Sequence, residues 1–175
     1  MASEDLLYLL YTSGTTGNPK GVVLTHTALI DRAHAAAQLE GLGDADVVLA
    51  YLPPAWIGQN VFSYAQPFVT GYCICCPEAA ETVMADMREI GPTYYFAPPR
   101  VLEALLTTVS IRMEDAGTLK RNMYGYFMDV ARRVGSRILD GNSVGLADRV
   151  LYRLGDVLVY GPLRNVLGMG RCRVA

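Results

Sequence analysis

The residues Thr12-Ser13-Gly14-Thr15-Thr16-Gly17-Asn18-Pro19-Lys20-Gly21 are small, hydroxyl-rich and punctuated by glycine. They lie between two apolar runs, Leu6 to Tyr11 and Val22 to Leu24, so the stretch reads as a strand, a tight loop and a second strand. Gly14, Gly17 and Gly21 lack a Cβ and tolerate positive φ, which lets backbone amides turn inward together around an anion. The hydroxyls of Thr12, Ser13, Thr15 and Thr16 and the ammonium of Lys20 add further donors. A polyphosphate needs many converging donors and offers no apolar surface, so this composition is that of a phosphate-cradling loop. A bare hairpin turn would need only one or two such residues. The register is not that of the nucleotide-binding motif G-x-x-x-x-G-K-[ST] opening into a helix. Gly14 is followed five residues later by Pro19, and Lys20 by Gly21.

Other residues with chemical potential are fewer. Cys73, Cys75 and Cys76 sit in an apolar run, and only two histidines exist, neither at paired-ligand spacing with them. On a strand Cys73 and Cys75 share a face while Cys76 points away, a poor tetrahedral arrangement, so buried reduced thiols in a cytosolic protein are expected. His26 falls at a strand–helix junction, where satisfying local backbone groups is the expected task. Trp56 is the single tryptophan.

The elements that must position these residues alternate. Thr25 or Thr27 can cap a helix over 28–40, whose Ala33, Ala36 and Ala37 predict close packing on a sheet. An apolar strand follows at 46–52, ended by Pro53-Pro54. Helix is expected around 59–70, a strand at 72–76, a helix at 79–90 and a strand at 93–96. This alternation predicts an α/β fold with a mostly parallel sheet and flanking helices. From Pro98 the apolar spacing turns helical over 100–114, 119–139 and 146–159, broken at 140–143 and again at Gly161-Pro162. The organisation read from this is an α/β part at 6–97 with the phosphate loop, a helical insertion at 98–168, and the start of a further strand at 169–175.

Composition bounds the function. The 175 residues are 51% hydrophobic and 18% charged, against about 25% charged in an ordinary soluble domain. Either an apolar ligand is handled or apolar faces are covered by further segments. A net charge of −2 lacks the broad basic footprint of a nucleic-acid binder. Arg132, Arg133 and Arg137 cluster, as a solvated helix face would. No apolar run reaches the roughly 18 residues of a membrane-spanning helix. The acidic start, Met1 to Asp5, is no secretory signal.

Residues Tyr11 to Gly21 resemble, with only Asn18 at the free position, the Tyr-Thr-Ser-Gly-Thr-Thr-Gly-x-Pro-Lys-Gly signature of the adenylate-forming (AMP-binding) superfamily. Three further stretches resemble its long-chain fatty acyl-CoA synthetase branch. Leu52-Pro53-Pro54-Ala55-Trp56-Ile57-Gly58 is similar to the Leu-Pro-x-Ala-Trp-Ile-Gly motif, Pro99-Arg100 to the strand-to-helix passage, and Gly161 to Gly168 to the end of the helical insertion. The resemblance implies that the chain is an internal piece of the large N-terminal domain of a long-chain fatty acid–CoA ligase, a partial domain of the adenylate-forming fold.

By that resemblance Thr12, Ser13, Gly14, Thr15, Thr16, Gly17 and Lys20 hold the phosphates of ATP. Thr12 also lies near Mg²⁺, and Trp56 gates the acyl tunnel. No catalytic set is complete in the chain, since the adenine motif, the metal-linked glutamate and the catalytic lysine of the family would lie beyond Ala175. The implied substrates are a fatty acid, ATP and CoA, in a cytoplasmic setting, with peripheral membrane contact and a homo-oligomeric parent left open. Three alternatives stay open as well: another adenylating branch, a nucleotide-binding module without turnover, and a structural role in which apolar faces dock a separate complement.

Overall fold

The computed structural model describes residues 2–13 and 17–175. The two apolar runs on either side of the glycine-rich stretch pair with each other: β1 (Leu6–Thr12) and β2 (Lys20–Thr25) form an antiparallel hairpin. Its register sets Leu9 opposite Val23 and Thr12 opposite Lys20. β2 runs straight into α1 (His26–Glu40), where the Thr25 hydroxyl accepts from the Ala28 amide at 3.2 Å and satisfies one of the unpaired first-turn donors. His26 is therefore the first residue of the helix, and its amide donates to the Asp5 carbonyl.

Ala33 and Ala37 are buried as their spacing requires, and Ala33 lies with Leu29 in a cluster with Ala65 of the helical stretch 57–70. Small side chains let the two helical stretches approach closely, and the half-buried Leu7 and Tyr8 of the hairpin close the same cluster.

The parallel sheet is small. β3 (Val47–Leu49) pairs with β4 (Cys73–Cys75), Val48 bridges Tyr94, and Tyr94 bridges Val174, all in parallel. The expected strand at 93–96 is thus reduced to one bridging residue on each side. The prolines at 92, 98 and 99 leave little chain free to extend it. The last residues meet the sheet through the single bridge of Val174 to Tyr94. Val48, Tyr72 and Tyr94 form the core beneath, with Phe62 against them.

The helix expected around 59–70 comes in three pieces: α2 (Ile57–Asn60), a wide π-helical segment (Val61–Ala65) and α3 (Gln66–Thr70). Pro67 explains the widening. An α-helix would set the proline ring against the carbonyl four residues back, and proline has no amide to donate. The Gln66 amide instead reaches five residues back to Val61. That leaves the Phe62 carbonyl without its helical donor, and the Tyr72 hydroxyl supplies one. α4 is shorter than predicted, Val83–Ile90, because Thr82 turns the chain by bonding both the amide and the carbonyl of Ala79.

Residues 97–170 build helices alone: α5 (Pro99–Glu114), α6 (Thr118–Leu139), α7 (Leu146–Gly155), a second π-helical segment (Asp156–Tyr160) and α8 (Gly161–Val166). Gly161-Pro162 does not break the helix as its composition predicts. Here too a proline follows a widened turn, with the Gly161 amide donating five residues back to Asp156. Two compact units result, Met1–Phe96 with Arg171–Ala175, and Ala97–Gly170. The second has its own core of Phe127, Val159 and Tyr160. No helix among the described residues is long and apolar enough to cross a membrane.

Candidate functional site

Of the expected phosphate-binding residues, Thr12 and Lys20 are the ends of paired strands and stand directly opposite each other. The Thr12 hydroxyl lies 3.5 Å from the Lys20 carbonyl, a long bond that closes the base of the loop. Ser13 and Gly17 flank it, and all four are exposed. Gly14, Thr15 and Thr16 lie outside the described residues. At Gly17 a Cβ would meet nothing within 4 Å, so the described rim is open. Thr12, Ser13 and Lys20 are thus carried, exposed, on one hairpin end. Hydroxyl and ammonium donors at an uncrowded rim suit the oxygens of a polyphosphate.

Trp56 lies elsewhere in the same unit, and no ring contact or hydrogen bond among the described residues joins it to the loop. The turn that presents it is tied from inside: the Asn60 side-chain amide, buried, donates to the Pro54 carbonyl at 2.9 Å and to the Trp56 carbonyl at 3.0 Å. The indole is 40% exposed. Its ring leans on Phe96 with centroids 5.9 Å apart, Phe96 stacks on Phe62 at 4.1 Å, and Phe62 meets Tyr94 edge-on at 5.8 Å. A continuous run of rings therefore leads from solvent at Trp56 to the buried core. Gly58 belongs to this arrangement, since a Cβ there would approach the Trp56 ring to 3.2 Å. The motif's Trp-x-Gly spacing has this physical basis: the ring lies over the glycine.

The phenols behind this run stay neutral. Burial, the dominant cause, raises Tyr94 and Tyr51 well above the ordinary tyrosine range, and neighbours add to it, Glu40 at Tyr94 and Tyr95 at Tyr51. Tyr51 donates to the Phe96 carbonyl at 3.0 Å and stacks on Tyr95, holding the Phe96 backbone.

The cysteines differ from expectation. Cys73 and Cys76 are exposed and Cys75 half-buried, because β4 is an edge strand; Cys172, away from β4, is half-buried as well. Cys73 and Cys75 do share a face, their sulfurs 4.0 Å apart. Burial and then the Cys73 thiol push Cys75 upward, away from reactivity. No cluster of three or more His, Cys, Asp or Glu side chains able to hold a metal occurs among the described residues.

One feature that no local pattern signalled is Asp46. Its buried carboxylate accepts from the Gly43 amide at 3.0 Å, from the Thr93 hydroxyl at 2.7 Å and from both Nε and Nη2 of Arg173. Arg173 also donates to the carbonyls of Glu40 and Gly41, closing the end of α1.

The AMP-binding enzyme family matches residues 1–162. The chain belongs to that family. Among AMP-binding enzymes it is 33% identical over 175 residues to the fadD11 protein of Mycobacterium tuberculosis, which carries a fatty-acid–CoA ligase name. That match takes in 98% of this chain and 30% of fadD11. It is 28% identical over 172 residues to the long-chain-fatty-acid–CoA ligase ACSBG2 of Rattus norvegicus, covering 94% of this chain and 25% of the relative. The crystal structure of FadD1, a long-chain-fatty-acid–CoA ligase from Archaeoglobus fulgidus, superposes on it with a TM-score of 0.53 at 27% identity. The superposition covers 65% of this chain and 22% of FadD1. The chain thus spans about 30% or less of the length of these relatives. Its fold is part of the adenylate-forming one, mixed helix and strand with parallel strands.

Proposed function

We propose that this chain contributes the ATP phosphate loop and part of the acyl site of a long-chain fatty acid–CoA ligase, and that alone it binds nucleotide without completing the reaction. The reaction of such a ligase is ATP + fatty acid + CoA to acyl-CoA + AMP + diphosphate. A carboxylate resists attack because a nucleophile would add charge to an anion. Adenylation removes that obstacle: a carboxylate oxygen attacks the α-phosphorus, diphosphate leaves, and the thiol of CoA then displaces AMP. The first step depends on positioning and charge neutralisation. In this reading backbone amides of Gly14 and Gly17 and the hydroxyls of Thr12, Ser13, Thr15 and Thr16 hold the β- and γ-phosphates. Lys20 brings positive charge to the departing diphosphate. Thr12 would help to hold Mg²⁺, which would supply charge neutralisation for the phosphates. Trp56 stands at the acyl entrance, and 98–168 is a helical insertion of the parent domain.

The observation that carries the reading is the hairpin register, which sets Thr12 across from Lys20 at the two ends of the signature loop. A thermal melt with and without Mg·ATP tests it. Ligand at about 100 times its dissociation constant stabilises by about 2.7 kcal/mol, which raises the midpoint of a chain this size by roughly 5–10 °C. Diphosphate should shift it too and AMP less, because the loop holds the outer phosphates. Lys20→Ala should remove most of the ATP shift. A cooperative melt that ATP leaves unmoved would reject the phosphate-loop assignment in this chain.

A further inference from the structure

β4 carries two thiols that lean together. Cys73 and Cys75 lie two residues apart on an edge strand, so they share one of its faces. At a rise of about 3.3 Å per residue, their backbone positions stand about 6.6 Å apart. Their sulfurs are only 4.0 Å apart, so the side chains converge instead of standing parallel. Cys73 is exposed and Cys75 half-buried, and neither thiol has another hydrogen-bond partner among the described residues. Cys172, by contrast, is engaged elsewhere and donates to the Val174 carbonyl at 3.2 Å. The parallel register sets Cys73 opposite Val47 and Cys75 opposite Leu49, so β3 offers the pair no competing polar side chain. Ile74, between them, belongs to the other face, where it lines a groove with Tyr64, Phe68 and Tyr72.

Length decides what can join two such sulfurs. A disulfide needs them about 2.05 Å apart, and its backbone span ends at about 6.8 Å, so an extended strand sits at the limit of that range. A metal ion reaches further. At about 2.3 Å from each sulfur, the zinc–thiolate length, an ion would bridge the 4.0 Å gap at an S–metal–S angle of about 120° without moving the strand. The ligand set then selects the ion. Zinc in a structural site takes four ligands, and no third His, Cys, Asp or Glu completes such a set among the described residues. Calcium and magnesium take oxygen ligands. Cu(I) is soft, prefers thiolate and is satisfied at low coordination number. The surrounding charge agrees: Met1–Phe96 with Arg171–Ala175 hold ten Asp and Glu against five Lys and Arg, so this unit attracts cations. Burial and then the Cys73 thiol tighten the hold of Cys75 on its proton, and a coordinated cation displaces a thiol proton outright.

We propose that Cys73 and Cys75 form a surface dithiolate site for Cu(I). Each sulfur binds the ion and gives its proton to solvent, with no change in oxidation state. The inference is independent of the phosphate loop, and a failed nucleotide shift leaves it standing. Titration of the whole reduced chain, under argon with ascorbate, into the coloured Cu(I) complex of bicinchoninate tests it. The wild-type chain should withdraw one Cu(I) per chain, and its elution on size exclusion should be the same with and without the ion. Cys73→Ser and Cys75→Ser should each lose the uptake. The thermal melt should be retained in Cys73→Ser because that side chain is exposed, so this variant decides the matter even if Cys75→Ser folds poorly. Cys76→Ser and Cys172→Ser should keep the uptake, since neither sulfur belongs to the pair. A bicinchoninate colour that the wild-type chain leaves unchanged would overturn the proposal. So would uptake that Cys73→Ser leaves intact, or half an ion per chain with a doubled mass, which would put the copper between two chains.

Discussion

The indole of Trp56 is fixed below and free above. Asn60 ties the turn that carries it, Gly58 leaves room for the ring, and Phe96 supports one side, while the rest faces solvent. A ring held this way can rotate over its glycine without breaking a hydrogen bond of the fold, which is what the proposed gate requires. Because Trp56 is the single tryptophan, its emission reports on that ring alone. A long-chain fatty acid added to the chain should change the emission, and Phe96→Ala should diminish the change. Emission indifferent to fatty acid at concentrations that bind would argue against a gate in this chain. Thr12, Lys20 and Trp56 could be singled out as candidates in the sequence because each sits in a contiguous motif whose chemistry is local. The ring run through Phe62 and Phe96 could not, since its members come from separate elements and no spacing connects them.

At the scale of elements, sequence periodicity placed the helices and strands well and misjudged what proline does inside them. Gln66-Pro67 and Gly161-Pro162 each close a widened turn, and in the second the chain continues as helix where a break was expected. Glycine shows why that turn is possible: a Cβ on Gly161 would lie 2.6 Å from the Asp156 carbonyl oxygen that its own amide uses. Gly161→Ala should therefore destabilise the helical unit by about 1–3 kcal/mol. Gly155→Ala should do the same, since its Cβ would meet the Tyr160 ring at 2.7 Å and the Phe127 ring at 2.8 Å. Gly125 and Gly135 are the internal comparison. Both lie within α6 with nothing within 4 Å of a built Cβ, so alanine there should gain about 0.5–1 kcal/mol. Equal melts for all four variants would show that the widened turn places no demand on its glycines. The apparent helix break and the buried thiols were misjudged for one reason. Both depend on what packs around a segment, and residue types in sequence do not carry that.

Across the chain, Asp46 and Arg173 join segments 127 residues apart, and no motif could have paired them. Their contact fixes the terminal strand beside Tyr94, closes the end of α1 and anchors the start of β3 through Thr93. The Arg173 guanidinium, aided by the Thr93 hydroxyl and the Gly43 amide, holds the Asp46 carboxyl down at about 2, against the opposing effect of its burial. An unfolded aspartate titrates near 3.9 or so. The folded group is thus the stronger acid, and its contribution to stability is fully present above about pH 4 and is lost as pH falls toward about 2. Asp46→Asn should cost about 2–3 kcal/mol at neutral pH, the range for hydrogen bonds to a charged group. The gap in melting midpoint between wild type and this variant should hold from pH 7 to about 5 and close between about pH 4 and pH 2. Other carboxylates titrate in both proteins, so the difference isolates Asp46. A gap of constant size down to pH 2.5 or so would mean that the carboxylate is not what Arg173 holds. The terminal strand would then have to be kept in the sheet by its bridge to Tyr94 alone.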